Sequence, residues 1–117
     1  MKFLCLAYGS EEDWNRLSRG EQEALLARDE VLRGRGALMA AVEPTPATVR
    51  APDGTPVVTQ GAFADSRVPL AGFSVIEAAD LDEVVRLVAD TPCARAGGAI
   101  EIRPIMQIND ADWLSAR

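Results

Sequence analysis

Histidine is missing from this sequence altogether. With it goes the one side chain whose ordinary pKa sets proton transfer near neutral pH, so imidazole acid–base catalysis and imidazole metal ligation are both excluded. Cysteine is scarce: Cys5 and Cys93 stand far apart without metal-ligand spacing. In a reducing compartment they read as free thiols acting as small buried hydrophobes, and no metal or cofactor motif accompanies them. Long apolar runs are also absent. The opening run, residues 3–8, is six residues long and Glu11, Glu12 and Asp13 follow it. It is too short for a membrane span and has the wrong flank for an export signal, so it is expected to be a buried strand in a cytoplasmic protein. Basic residues are scattered singly against a net charge of −6. No stripe exists to follow a phosphate backbone, and nucleic acid is not an expected partner.

What remains is ordinary globular composition, 48% apolar and 26% charged over 117 residues, enough for one core. Residues 3–8 read as a central strand ended by Gly9-Ser10. Trp14 and Leu17 lie in a short acidic turn. Ser18-Arg19-Gly20-Glu21 then has capping-box spacing, and the helix it opens places Ala24, Leu25, Arg28, Val31 and Leu32 on one face, with Glu23, Arg28 or Asp29, and Glu30 solvated on the other. Gly34-Arg35-Gly36 ends it, glycine taking the left-handed conformation. A second strand over 37–42 is closed by Glu43-Pro44-Thr45-Pro46.

Pro52-Asp53-Gly54 between two β-rich runs signals a hairpin. The next strand, 70–77, contains Gly72, which marks a bulge or a close backbone approach. Asp80 caps a second helix with a stripe of Leu81, Val84, Val85 and Val88 that stops near Thr91-Pro92. The last strand, 99–106, alternates Ile100 and Ile102 against Glu101 and Arg103. Trp113 and Leu114, in a C-terminal tail of residues 108–117, are expected to pack on a neighbour.

This order is an α+β, ferredoxin-like split βαβ pattern: an antiparallel sheet with two helices on one face. The first strand is apolar on both sides while helices cover only one. A second copy is the expected cover, giving a homodimer of face-to-face sheets, a dimeric α+β barrel.

Several stretches together resemble the YCII-related (DGPF-motif) family of small bacterial proteins. They are Tyr8-Gly9, Trp14 with Leu17-Ser18, residues 58–67, Leu70-Ala71-Gly72-Phe73, and Pro92-Cys93-Ala94-Arg95 leading into 99–105. The resemblance spans residues 1–107 as one ferredoxin-like domain. In the family's loop, Gly61, Phe63, Asp65, Ser66 and Arg67 fit the layout, whereas Gln60 replaces the aspartate, Ala62 the proline and Val68 the glutamate. Chemistry proposed for relatives leans on that aspartate, in some branches with histidine, and this chain has neither.

The candidate ligand-binding residues are therefore Tyr8, Phe63, Asp65, Ser66, Arg67 and Arg103. Asp65 and Arg67 offer a carboxylate and a planar guanidinium on one loop. Ser66 has no visible base, so a nucleophilic serine is not expected. Glu101 and Arg103 either line a pocket between sheet and loop or pair with strand neighbours, the latter being the simpler expectation. Phe63 and Phe73 read first as core anchors of the loop. Tyr8 ends its strand with a hydroxyl that can reach a pocket or a backbone partner. No catalytic residue is assigned. The expected function is a dimeric module binding a small polar or anionic ligand, the alternative a cofactor-independent enzyme of the α+β barrel type.

Overall fold

The computed structural model describes residues 1–108. Its first strand, β1 (Lys2–Tyr8), alternates deeply buried Phe3 and Cys5 with half-buried Leu4 and Leu6. The sheet's two faces therefore differ. A single helical turn, α1 (Glu11–Asn15), is capped by the Ser10 hydroxyl, which accepts from the Asp13 amide. The sequence suggested only an acidic turn there; the cap converts it into helix by satisfying an amide that would otherwise lack a partner.

Helix α2 (Arg19–Gly34) starts on the expected capping box, with Ser18 and Glu21 bonding each other's backbone amides. Gly36, at φ +80°, supplies the left-handed turn after it. Its inward stripe differs from expectation. Gln22, Leu25, Asp29 and Leu32 are the less exposed positions, while Ala24, Arg28 and Val31 face solvent. The reason lies in polar satisfaction: Gln22 turns inward because its amide donates to the Trp14 carbonyl, which rotates the buried stripe toward Asp29.

Strand β2 (Leu38–Ala41) leads to a separate two-stranded ribbon, β3 (Ala47–Arg50) with β4 (Val57–Gln60). Arg50 pairs with Val57, so Pro52-Asp53-Gly54 sits within a longer connection instead of a two-residue turn. The Asp53 carboxylate accepts from the Thr55 amide, and Gly54 has φ +91°. Strand β5 (Leu70–Glu77) has the expected limits. Opposite it, Ala7 pairs with Gly72 and Tyr8 with Leu70, leaving Ala71 bulged. A Cβ on Gly72 would lie 2.4 Å from the Ala40 carbonyl oxygen, so the glycine marks a close approach of strands as well as the bulge.

Helix α3 (Leu81–Val88) is capped by Asp80 and buries Val84 and Val88. Leu81 and Val85, assigned to the same stripe by spacing, stay exposed; half-buried Leu87 takes the inward place instead. Proline does not merely stop this helix. Pro92 begins another turn, α4 (Pro92–Arg95), where its missing N–H and fixed φ suit a first helical position. Strand β6 (Ala99–Pro104) follows.

The main sheet is antiparallel throughout, in the order β2-β5-β1-β6. With the ribbon set aside as an insertion, this is the ferredoxin-like split βαβ arrangement, and the fold is α+β. Phe3, Cys5, Leu32, Ile76, Val84 and Val88 form the core between sheet and helices. The register puts Leu4 opposite Val75 and Leu6 opposite Phe73 on the other face, where all four are only half-buried. Among the described residues, no helix is long and apolar enough to cross a membrane. Trp113 and Leu114 lie outside the described residues.

Candidate functional site

The open face of the sheet ends in a cleft. Strand alternation puts Tyr8 of β1 and Glu101 and Arg103 of β6 on that face, since Leu6 pairs with Glu101 and Leu4 with Arg103. The loop between β4 and β5 folds over this end, held by the Gly9 amide donating to the Pro69 carbonyl at 2.9 Å. Between loop and strands lies a solvent-open cleft of about 440 Å³ lined by Tyr8, Asp65, Ser66, Arg67 and Arg103 among others. Five of the six residues singled out from the sequence thus border one space.

Phe63 does not. It is 80% exposed, so it is neither a core anchor nor part of the cleft wall. The loop turns at Gly61, φ +115°, whose carbonyl accepts from the Thr48 hydroxyl at 2.7 Å. That tie fixes the loop's start to the ribbon and leaves Phe63 beyond the main sheet's packing. Phe73, on β5, is half-buried on the open face.

Each polar group in the cleft has a definable state. The Ser66 hydroxyl donates to the Val68 carbonyl at 2.5 Å, so it closes a turn. Arg67 donates to the carbonyl of Gly97 and lies 3.9 Å from Asp13 Oδ2. Arg103 pairs with Glu101 through Nη2 at 2.6 Å and Nε at 2.9 Å, along its own strand instead of with a strand neighbour, and both residues also border the cleft. Exposed pairs of this kind hold weakly, so a ligand anion can compete for the guanidinium. Among the described residues, neither the Tyr8 hydroxyl nor the Asp65 carboxylate has a side-chain hydrogen bond or ion pair in the protein. The cleft therefore offers one uncommitted carboxylate, one uncommitted phenol and two arginines already oriented.

Asp13 is the residue that sequence reasoning missed. Its side chain is 12% exposed, with Oδ1 bonded to Arg16 at 2.9 Å. Oδ2 is buried without a hydrogen-bond partner among the described residues. This oxygen would lie 3.1 Å from a Cβ on Gly97, whose φ is +84°. Asp13 thus presses against the backbone that receives Arg67 and holds the arginine by charge. The signal for it was Ser10 three residues earlier, an N-cap that locks α1 and aims Asp13 inward.

Gly97-Gly98 serves the same end of the sheet. A Cβ on Gly98 would be 1.9 Å from the Tyr8 carbonyl oxygen, so only glycine permits β6 to start beside β1 there. The cysteines lie elsewhere: Cys5 is buried, Cys93 half-buried, and both are free. Burial pushes both thiols up, the Cys5 shift being partly offset by a hydrogen bond with Ser74 and the Cys93 shift increased by the Asp29 charge.

Comparison with solved structures finds a likeness to the 5-chloro-2-hydroxyhydroquinone dehydrochlorinase of Burkholderia phenoliruptrix AC1100, in complex with 2,5-dihydroxybenzoquinone. The identity is 21%, the TM-score 0.47, and the match covers 92% of this chain and 96% of that one. An uncharacterised protein of Rhizobium meliloti (strain 1021) is 31% identical over 114 residues, covering 90% of this chain and 92% of the relative. The family model described as the YCII-related domain matches residues 1–109, which takes in helices α1 to α4, the inserted ribbon and every strand of the sheet. The chain belongs to the YCII-related family.

Proposed function

We propose that this chain is a small-molecule-binding module that holds a polar ligand, with at least one anionic or acceptor group, in the cleft between residues 64–68 and the open face of the sheet. The observation that carries this reading is the convergence of Tyr8, Asp65, Arg67 and Arg103, from three separated parts of the sequence, on one space. Arg67 is pre-oriented by Gly97 and Asp13, which lowers the ordering cost of binding. Arg103 can exchange Glu101 for a ligand carboxylate or phosphate, and Asp65 and Tyr8 can take the ligand's donor and acceptor groups.

The module works as a homodimer. Leu4, Leu6, Phe73 and Val75 give the open face an apolar surface, and a second copy related by a two-fold axis offers the same surface back. The cleft lies at the end of that face, so the partner forms its missing wall.

The test is a thermal-shift panel of small polar and anionic metabolites on the native protein and on Arg67→Ala and Arg103→Ala. A compound that raises the native midpoint and loses its effect in both variants supports the site. Stabilisation that survives in both removes the arginines from it. A second reading, cofactor-independent catalysis, draws on the uncommitted Asp65 carboxylate as an acid or base. Asp65→Asn would then abolish turnover of the bound compound while retaining its binding.

A further inference from the structure

A second cavity lies on the opposite face of the sheet from the cleft. It measures about 250 Å³, opens to solvent, and is floored by the helix-facing side chains of the sheet, including Cys5, Ala7 and Met39. Helix α2 roofs it with Asp29 and Leu32; Val88 and Cys93 close the far side. The walls are predominantly apolar, and a cavity of about 150 Å³ already accepts benzene in a protein core, so this one has room for a substituted ring.

Asp29 is out of place in such a wall. It occupies the inward stripe of α2, between Leu25 and Leu32, where periodicity would put an aliphatic side chain. Its polar neighbour on the stripe, Gln22, is explained by its bond to the Trp14 carbonyl. Nothing comparable explains Asp29. Nearby arginines are drawn elsewhere, Arg28 to Asp90 at 3.7 Å and Arg33 to Glu30. Among the described residues, no hydrogen bond or ion pair engages its carboxylate. Burial raises the Asp29 carboxyl above its usual range, with the Arg33 charge only partly offsetting it. On the far side, Cys93 Sγ is seated 2.9 Å from where a Cβ on Gly9 would stand, which fixes the thiol at the cavity's edge.

A predominantly apolar cavity with a half-buried carboxylate that no hydrogen bond or ion pair engages among the described residues, and with the neighbouring Arg33 held by Glu30, is complementary to a small molecule with an apolar body and a cationic head. We propose that this cavity is a second ligand site, taking a small ring-bearing amine whose ammonium group sits on Asp29 and whose ring lies between Leu32, Met39 and Val88. Ile100 borders both spaces, but Asp29, Leu32, Met39 and Val88 border only this one and Tyr8, Asp65, Arg67 and Arg103 only the cleft.

The probes are benzylamine and benzyl alcohol, which share a ring and differ in charge. Methyl resonances of Leu32, Met39 and Val88 in the native protein are expected to shift saturably with benzylamine and more weakly with the alcohol. In Asp29→Asn, benzylamine should bind about tenfold more weakly or worse, while the alcohol binds as before. The unmutated protein gives a second readout: saturating benzylamine should slow alkylation of Cys93 several-fold. The proposal is overturned if benzylamine leaves these methyls unmoved up to its solubility limit or binds Asp29→Asn with unchanged affinity. It is equally overturned if the alcohol matches benzylamine in the native protein or Cys93 alkylation is unprotected. Arg67→Ala, which removes a cleft residue, should leave benzylamine binding intact, so the two sites fail separately.

Discussion

At the scale of single residues, Asp29 makes the stability of this protein depend on pH in a defined direction. Its folded carboxyl holds a proton more tightly than the unfolded chain does. The group therefore favours folding fully below the unfolded carboxyl's pKa, and that contribution is lost as pH rises through the raised folded value. Asp29→Asn removes the loss. Thermal unfolding should show the variant more stable than the native protein at neutral pH, the gap closing as pH falls below the usual aspartate range; lower stability at neutral pH would contradict the assignment. The same variant removes a charge that raises the Cys93 thiol, so Cys93 should alkylate faster at a fixed, mildly alkaline pH. Gly98 supplies a steric counterpart. Its substitution by alanine drives a methyl into the Tyr8 carbonyl, and urea unfolding should record a loss of about 3 kcal/mol or more, at the upper end of overpacking costs. An unchanged urea midpoint would mean that the two strands can separate at no cost.

At the scale of elements, helix starts were legible because their chemistry is local. Ser18 with Glu21 and Asp80 with Glu83 are separated by one helical turn, and the backbone amides they satisfy lie within the same turn. Asp80→Ala should cost about 1 kcal/mol in chemical denaturation, the usual worth of an N-cap side chain. Strand limits of β5 and the alternation of β6 were equally readable, since side chains reverse face at each residue. The inward stripes were less so. Val31 and Val85 read as core by spacing but are 49% and 46% exposed, because burial depends on how each helix is rotated by contacts distant in sequence. Gln22 reaching Trp14 is such a contact. Phe63 failed for a related reason: aromatic character predicts burial on average, whereas the loop's path was fixed by Thr48 and Gly61. Of the candidate site, Asp65 and Arg67 were visible in the loop's layout and Arg103 in the alternation of the last strand. Asp13 was not, because the pairing that gives it meaning joins residues 13, 67 and 97.

At the scale of the whole molecule, the asymmetry of the sheet organises everything else. One face is covered by α2 and α3; the other combines Leu4, Leu6, Phe73 and Val75 with the polar cleft at its end. The ribbon leaves Val49 and Val58 exposed on one of its faces and Val57 on the other. Val75→Asp places a charge at the centre of the proposed interface without touching the core face. Sedimentation velocity should then convert a dimeric native protein into a monomer that keeps its far-ultraviolet circular dichroism. A native protein that is monomeric across concentrations would remove the partner wall from the cleft.

The central claim, that the open-face cleft is where this protein meets its ligand, is tested most directly by mapping backbone amide shifts during titration with a compound that raises the thermal midpoint. The account predicts saturable shifts centred on Tyr8, residues 64–68 and residues 98–103, with Arg67→Ala weakening them about tenfold or more. Shifts that leave those three segments unmoved, or affinity unchanged in Arg67→Ala, would contradict it.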